Sequence, residues 1–301
     1  RSVVDPTAHF VAAFSSLMEN HGIKVQGHFL ESGVPERGVR TLVQLRSPPL
    51  AAILMEMNKY SSNFTAEQVL KAVGASAGGV QTSPQQLEQM KQQIDAAGLV
   101  VSMVTADFDV PLNNASGPDS LRDIGPSLDV ASILGSDLVR ICMKQDSDIP
   151  FARDSADRAA ERGIRLVHQC HTSSIFEQVE GILEVIAEID RSNFGIVYEP
   201  ANLMLCGEDY GPATLQLLAP WLMNVYVQNH VIDREGPVSL ETWCLGERRF
   251  RHIPLWEAGG VEFSSVFEGL EQIGYDGCVT VHQAYAELMG PREAAAESAG
   301  F

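Results

Sequence analysis

"GIRLVHQCHTSSIFEQVEGILEVIAEIDRSNFGIVYEP", Gly163–Pro200, decides the fold class. Residues 164–169 form a short run dense in apolar residues, opened by Gly163. Residues 175–190 place Val179, Ile182, Leu183 and Ile186 at helical spacing, which predicts a helix. A second apolar run, residues 194–199, follows. Runs that stay apolar without alternating mark strands buried on both faces, as in parallel sheets, and parallel neighbours need a crossover of about this length. The stretch therefore reads as strand, helix, strand.

The same alternation extends in both directions. "SPQQLEQMKQQIDAAG", Ser83–Gly98, predicts a helix with Ser83 as N-cap, Pro84 at its first position and Gly98 beyond its end. "LVVSMVTA", residues 99–106, reads as a buried strand. A helix over about 119–133 precedes a strand at 138–142, and a helix over 150–162 precedes the strand at 164–169. Further on, a helix over 211–220 precedes a strand at 223–228. A long loop then leads to a helix over 263–273 and a strand at 278–283. The expected fold is α/β, an incomplete (β/α)8 TIM-type barrel of about six βα units.

Charge divides the chain. Of its 301 residues, the first 79 carry seven bases and six acids, which leaves the remainder 14 bases and 33 acids of totals of 21 and 39. A net charge of −18 concentrated in one part sets residues 1–79 apart from 80–301 as two segments of different origin. An acidic body excludes nucleic acid and anionic membrane as expected partners. No apolar run approaches the roughly 20 residues of a membrane span. The five cysteines (142, 170, 206, 244 and 278) are dispersed with no C-x-x-C, the pattern of reduced thiols. With no signal peptide visible, although residue 1 is Arg rather than Met, the expected location is cytoplasmic.

Residues 1–79 read as a small α+β segment. It includes the triplet Ser61-Ser62-Asn63, of the form S-x-N, just after Lys59. Asp5-Pro6, the helix ending at Gly22-Ile23, Ser47–Leu50 and "MNKYSSNFTAEQVLKAVG" resemble, in this order, D-alanyl-D-alanine carboxypeptidases of the penicillin-binding-protein-4 type. That resemblance implies a serine nucleophile in S-x-x-K, a wall formed by Ser61 and Asn63, and a K-T-G strand. The residues three places before the five lysines are His21, Glu56, Gln68, Glu88 and Ile141, none of them Ser. No lysine is followed by Thr-Gly. Without nucleophile and base the triplet has nothing to assist, so a turn between helices is expected. Gly74-Ala75-Ser76-Ala77-Gly78 fits G-x-S-x-G, but a helix precedes it where a nucleophile elbow needs a strand, so a small-residue linker is expected.

Barrel sites lie at the carboxyl ends of the strands. Those ends hold Gln169, Cys170 and His171; Glu199 and Asn202; Gln228, Asn229 and His230; and His282 with Gln283. Each histidine alone reads as well as a satisfied buried side chain; the concentration of polar groups is the signal. "GIRLVHQCH", "VYEPANLMLCGEDYG", "LMNVYVQNH" and "IGYDGCVTVHQAY" resemble the xylose-isomerase-like sugar phosphate isomerase/epimerase family. The resemblance implies four strand-tip ligands, Glu, Asp, His and Glu, around one divalent metal, and a proton shuttled beside a sugar carbonyl.

On that resemblance Gln169 matches the first Glu, Glu199 the Asp, and His282 the last Glu. Tyr226 stands where the metal-binding His is expected, with Gln228 one inward position on. Asn202 stands where a His is frequent, and His171 matches a His beside the first ligand. The implied metal set is Gln169, Glu199, Gln228 and His282, for Mn²⁺, Zn²⁺, Fe²⁺ or Mg²⁺. The implied catalytic set is His282, Glu199 and His171, and the implied substrate contacts are Asn202, Tyr226 and His230. A Gln carbonyl ligates a metal but takes no proton at neutral pH, so a two-carboxylate mechanism is not expected. The strand near Leu99 resembles the family's third, and the first two have no counterpart. A partner chain that completes or covers the open barrel is therefore an expected oligomer. The expected function is a sugar or sugar phosphate isomerase/epimerase with a variant metal site. A serine-type carboxypeptidase and a non-catalytic fusion of two gene fragments are the alternatives.

Overall fold

In a computed structural model of the chain, residues 83–106 and 119–282 are described. Ser61 and Asn63, Gly74–Gly78, the change of character at residue 80, and Gln283 lie outside them.

The described chain opens on helix α1, Pro84–Ala96. Ser83 caps it as expected: its hydroxyl accepts from the Gln86 backbone amide at 3.3 Å, and the Gln86 side chain accepts from the Ser83 amide at 2.8 Å. This reciprocal box satisfies two of the amides a helix start leaves over. Gly98 ends the turn at φ +69°, a conformation that favours glycine. Leu87, Met90 and Ile94 pack the helix onto its neighbours.

Six parallel strands follow, with helices between them. They are β1 (Val104–Thr105), β2 (Leu138–Ile141), β3 (Arg165–Gln169), β4 (Phe194–Tyr198), β5 (Leu222–Val227) and β9 (Val279–Val281), adjacent in that order. The intervening helices are α2 (Asp119–Arg122), α3 (Gly125–Leu134), α4 (Ile149–Ala160), α5 (Val179–Ile189), α6 (Pro200–Leu205), α7 (Pro212–Leu218) and α8 (Phe263–Gln272). This is the expected incomplete TIM-type barrel, six parallel strands curled with their helices.

Three differences from the sequence reading have local causes. The helix expected over 119–133 is two, because Gly125-Pro126 starts a new helix after Ile124. The strand expected over 99–106 pairs with β2 only at Val104 and Thr105, and Val100 is exposed. The expected long loop contains a three-stranded antiparallel sheet, β6 (His230–Ile232), β8 (Gly246–His252) and β7 (Val238–Thr242), in the order β6-β8-β7. Most of its side chains are polar and partly exposed, so it lacks the apolar run that betrays the parallel strands.

Two cores lie on opposite faces of the parallel sheet. Against the helices pack Val139, Leu166, Ile196 and Val225 with Ile124, Ile149, Ile182 and Leu215. On the other face lie Leu138, Val167, Val197 and Tyr226, with Met103 and Met223 against them. Side chains alternate along a strand, so this second face also takes Arg140, Gln169, Glu199, Gln228 and His282. The phase is kept across β4 and β5 by a bulge. Ile196 pairs with Leu222, but Val197 pairs with Asn224, so Met223 is skipped. Were Met223 paired regularly with Val197 instead, Gln228 would face the helices. Among the described residues no helix is long and apolar enough to cross a membrane.

Candidate active site at the strand tips

Glu199 is the hub. It directly follows β4, is fully buried, and opens α6 with Pro200 in the first helical turn. Its carboxylate accepts from four side chains, three at the ends of strands β3, β5 and β9 and one on helix α6. Gln169 Nε2 and Asn202 Nδ2 donate to Oε2, the latter at 2.6 Å. Gln228 Nε2 donates to Oε1 at 2.5 Å, and His282 Nδ1 lies 3.2 Å from the same oxygen. Asn202 also donates to the Cys170 carbonyl at 2.9 Å, which ties α6 to the end of β3. The His282 backbone amide bonds the Val227 carbonyl at 2.8 Å and sets that residue beside β5.

Arg140, from the middle of β2, donates to Gln169 Oε1. A guanidinium only donates, so it fixes the amide: the oxygen of Gln169 faces Arg140 and its nitrogen faces Glu199. The sequence reading passed over Arg140. The signal was there, because a charged residue inside "LVRIC" stands in phase with Gln169 across the β2–β3 register.

Burial alone would push the Glu199 carboxyl up. The hydrogen bond and charge of His282, with the Gln169 amide and His171, outweigh it and hold the group below the ordinary carboxylate value. Glu199 is therefore an anion at neutral pH. Burial lowers His171, whose Nδ1 lies 2.7 Å from the Thr172 carbonyl, and keeps it neutral. His230 is buried with Nε2 3.1 Å from the Ala201 carbonyl, and burial lowers it to about 4. It braces the first turn of α6 from behind. Tyr226 packs its ring on that of His282, centroids 4.6 Å apart.

Access is unequal. The Glu199 side chain has no exposure, whereas that of His282 is 27% exposed, and Gln228 and His171 are half-buried. A ligand entering at the strand tips meets His282, Gln228 and His171 before the carboxylate. The structure thus brings Gln169, Glu199, Asn202, Gln228 and His282 together around one anion and places Tyr226, His171 and His230 around them.

The donors as arranged do not fit a divalent ion. Only one carboxylate is present, and its oxygens are taken by three amide N–H donors and an imidazole. The one metal-ligating atom of Gln169 already accepts from a cation, Arg140. A second positive charge there would be repelled and would have to break this network. Among the described residues, the group of three ligand-type side chains close enough to share an ion lies elsewhere, at Glu177, Cys206 and Cys244.

The profile of the xylose isomerase-like TIM barrel family matches residues 66–301. A second profile, of the D-Ala-D-Ala carboxypeptidase 3 (S13) family, matches residues 1–117. Among curated proteins, a D-alanyl-D-alanine carboxypeptidase from Actinomadura sp. (strain R39) is 29% identical over 133 residues. The match covers 39% of this chain, and the chain spans about a quarter (25%) of that relative's length. Among solved structures, a xylose isomerase domain protein from Planctomyces limnophilus superposes with a TM-score of 0.57 at 18% identity, over 72% of this chain and 80% of that one. A xylose isomerase-like TIM barrel protein from Mycobacterium smegmatis, in complex with magnesium, gives 0.54 at 15%, over 81% and 89%. D-psicose 3-epimerase with D-tagatose, from Clostridium cellulolyticum H10, gives 0.51 at 14%, over 72% and 83%. At these identities the structural likeness concerns the fold.

Proposed function

The chain belongs to the xylose isomerase-like TIM barrel family, and from that premise we propose that its strand-tip site takes a small sugar-like carbonyl compound and moves a proton beside the carbonyl through a Glu199–His282 pair. The observation that carries this is the His282 Nδ1 contact to a buried, ionised Glu199. A carboxylate on one imidazole nitrogen fixes the ring and the tautomer and stabilises the imidazolium that forms when the other nitrogen takes a proton. His282 is the partly exposed member, so it is the one to touch substrate.

With a single acid/base group in contact, the reading favours aldose–ketose isomerisation. There the proton taken from one carbon is returned to its neighbour on the same face, whereas inversion at one carbon needs a group on each face. His171 and Gln228 supply hydrogen bonds to substrate hydroxyls at the mouth of the site. Arg140 is the cation of the network, and it offsets negative charge that develops on the substrate oxygen, acting through the Gln169 amide. The acidic body of the chain fits a neutral sugar better than a phosphorylated one. The epimerase bound to D-tagatose supports the substrate class by fold alone.

The test is wash-in of solvent deuterium. A panel of aldoses and ketoses, free and phosphorylated, is incubated with the full chain in D₂O and read by NMR. Exchange at the carbon next to the carbonyl is expected for at least one free sugar, unaffected by EDTA. The His282→Asn variant should lower it by about 10²-fold or more. No exchange and no ligand-induced thermal shift with any sugar would sink the reading, and loss on EDTA treatment would sink its metal-independent form.

A further inference from the structure

Glu177, Cys206 and Cys244 meet outside the hydrogen-bond network of Glu199. Glu177 precedes α5, Cys206 caps the end of α6, and Cys244 sits in the turn between β7 and β8. One carboxylate oxygen and the two Sγ atoms all lie within 4.8 Å of one another. Glu177 and Cys206 are buried and Cys244 is half-buried. We propose that these three residues bind one thiophilic divalent cation of the zinc class.

Four observations carry the site. Zinc bonds thiolate sulfur at about 2.3 Å and carboxylate oxygen at about 2.0–2.2 Å, so three atoms this close can share one ion after small side-chain rotations. Glu177 opens a position for it by a small change. Its oxygens accept from the backbone amides of Ser173, Trp243 and Cys244, with Trp243 shared between both oxygens at 2.9 Å. These are four contacts on roughly four lone-pair positions, and a cation takes one of them when the Trp243 amide, now bridging both oxygens, keeps a single contact. Access exists as well, because Glu177 and Cys244 line a cavity of about 320 Å³ whose walls also carry Asp146 and Glu184. Three carboxylates around one entrance draw in cations. Finally, anchoring the hairpin turn requires the carboxylate alone and does not account for two thiols beside it. The Cys244 thiol now donates to the Cys206 carbonyl at 3.6 Å and bonds the Glu177 and Thr242 side chains, weak uses of a good ligand.

Binding replaces two thiol protons by one divalent ion: M²⁺ and two Cys–SH give M(S–Cys)₂ and two H⁺, with Glu177 as third ligand and a water from the cavity as fourth. Two sulfur ligands select zinc-class ions over magnesium or calcium. The ion would lock the β7–β8 turn to α5 and to the end of α6, whose other end carries Glu199 and Asn202.

Cobalt(II) tests the site by spectrum. Titrating the reduced full chain with Co²⁺ should produce a thiolate-to-cobalt charge-transfer band that saturates at one equivalent, and Zn²⁺ should bleach it. Cys206→Ser and Cys244→Ser should each remove the band. The His282→Asn variant should keep it, which separates this site from the strand-tip network. Should Cys206→Ser fail to fold, alkylation read by mass spectrometry replaces it: Zn²⁺ should protect Cys206 and Cys244 and leave the exposed Cys278 reactive. No band on the folded full chain, a band that survives Cys244→Ser, or no protection of the pair overturns the proposal.

Discussion

Glu199 concentrates the cost of the strand-tip network in one side chain. It is a fully buried anion, and four donors converge on it. Replacing it by Ala strips the acceptor from Gln169, Asn202 and Gln228 together, and buried donors left unmet cost about 1–3 kcal/mol each. Glu199→Ala is expected to lose at least ~3 kcal/mol in urea unfolding, and Glu199→Gln less, since an amide oxygen still accepts. Histidines one layer out set the acid limit. His168 is fully buried against Phe176, ring centroids 4.0 Å apart, and burial lowers it from 6.5 to about 3. The unfolded chain then binds a proton that the native chain does not between pH 6.5 and about 3, so stability falls as pH drops through that window. By pH 5 the loss from this group is about 2 kcal/mol. A His168→Phe variant should show a shallower decline from pH 7 to pH 5 than the parent in chemical denaturation, whatever its stability at pH 7. Equal slopes would show that His168 protonates in the native state.

At the scale of elements, the loop that brings α8 back to the sheet is held by a clamp. Asn229, at the end of β5 and fully buried, donates to the carbonyls of Pro254, Leu255 and Glu257 and accepts from Val261 N at 2.9 Å. Gly260 lies against it so closely that a Cβ would sit 2.1 Å from Asn229 Oδ1 and 2.6 Å from the His230 carbonyl. Neither neighbour can retreat, the first because it is the clamp and the second because it is backbone in β6. Gly260→Ala should therefore cost ~3 kcal/mol and lower the melting midpoint by about 6–12 °C. Stability near that of the parent would mean the loop has another seat. The same elements show what a sequence discloses. The buried parallel strands were legible because both faces demand apolar residues, and their tips were legible because polar groups interrupt that demand: Gln169, Glu199, Gln228 and His282 all meet. The sheet β6-β8-β7 was not, since "VSLET" and "GERRFRH" mix polar and charged side chains that solvent tolerates in any conformation. Nor were Arg140 as partner of Gln169 or the grouping of Glu177 with two cysteines, because each depends on register or on a turn packing across the fold.

For the whole molecule, two family profiles overlap on residues 66–117, and they imply opposite chemistry. The barrel family accounts for the described fold. The carboxypeptidase likeness covers a quarter of its curated relative, and that family's profile matches residues 1–117. Acyl transfer by such enzymes needs a serine activated by a lysine three residues on, and the residues in that position before Lys24, Lys59, Lys71, Lys91 and Lys144 are His21, Glu56, Gln68, Glu88 and Ile141. Ser61 and Ser62 themselves have no lysine at that spacing, since Phe64 and Thr65 stand there. An unactivated serine hydroxyl, with its pKa far above neutrality, attacks a β-lactam too slowly to trap it. Incubating the full chain with a fluorescent penicillin, followed by denaturing electrophoresis, should give no labelled band at an exposure that labels an authentic D-alanyl-D-alanine carboxypeptidase fully. A heat-sensitive band mapping to Ser61, Ser62 or Ser76 would require an activating base from outside the S-x-x-K pattern, and would move the chain's chemistry from the strand tips to its first segment.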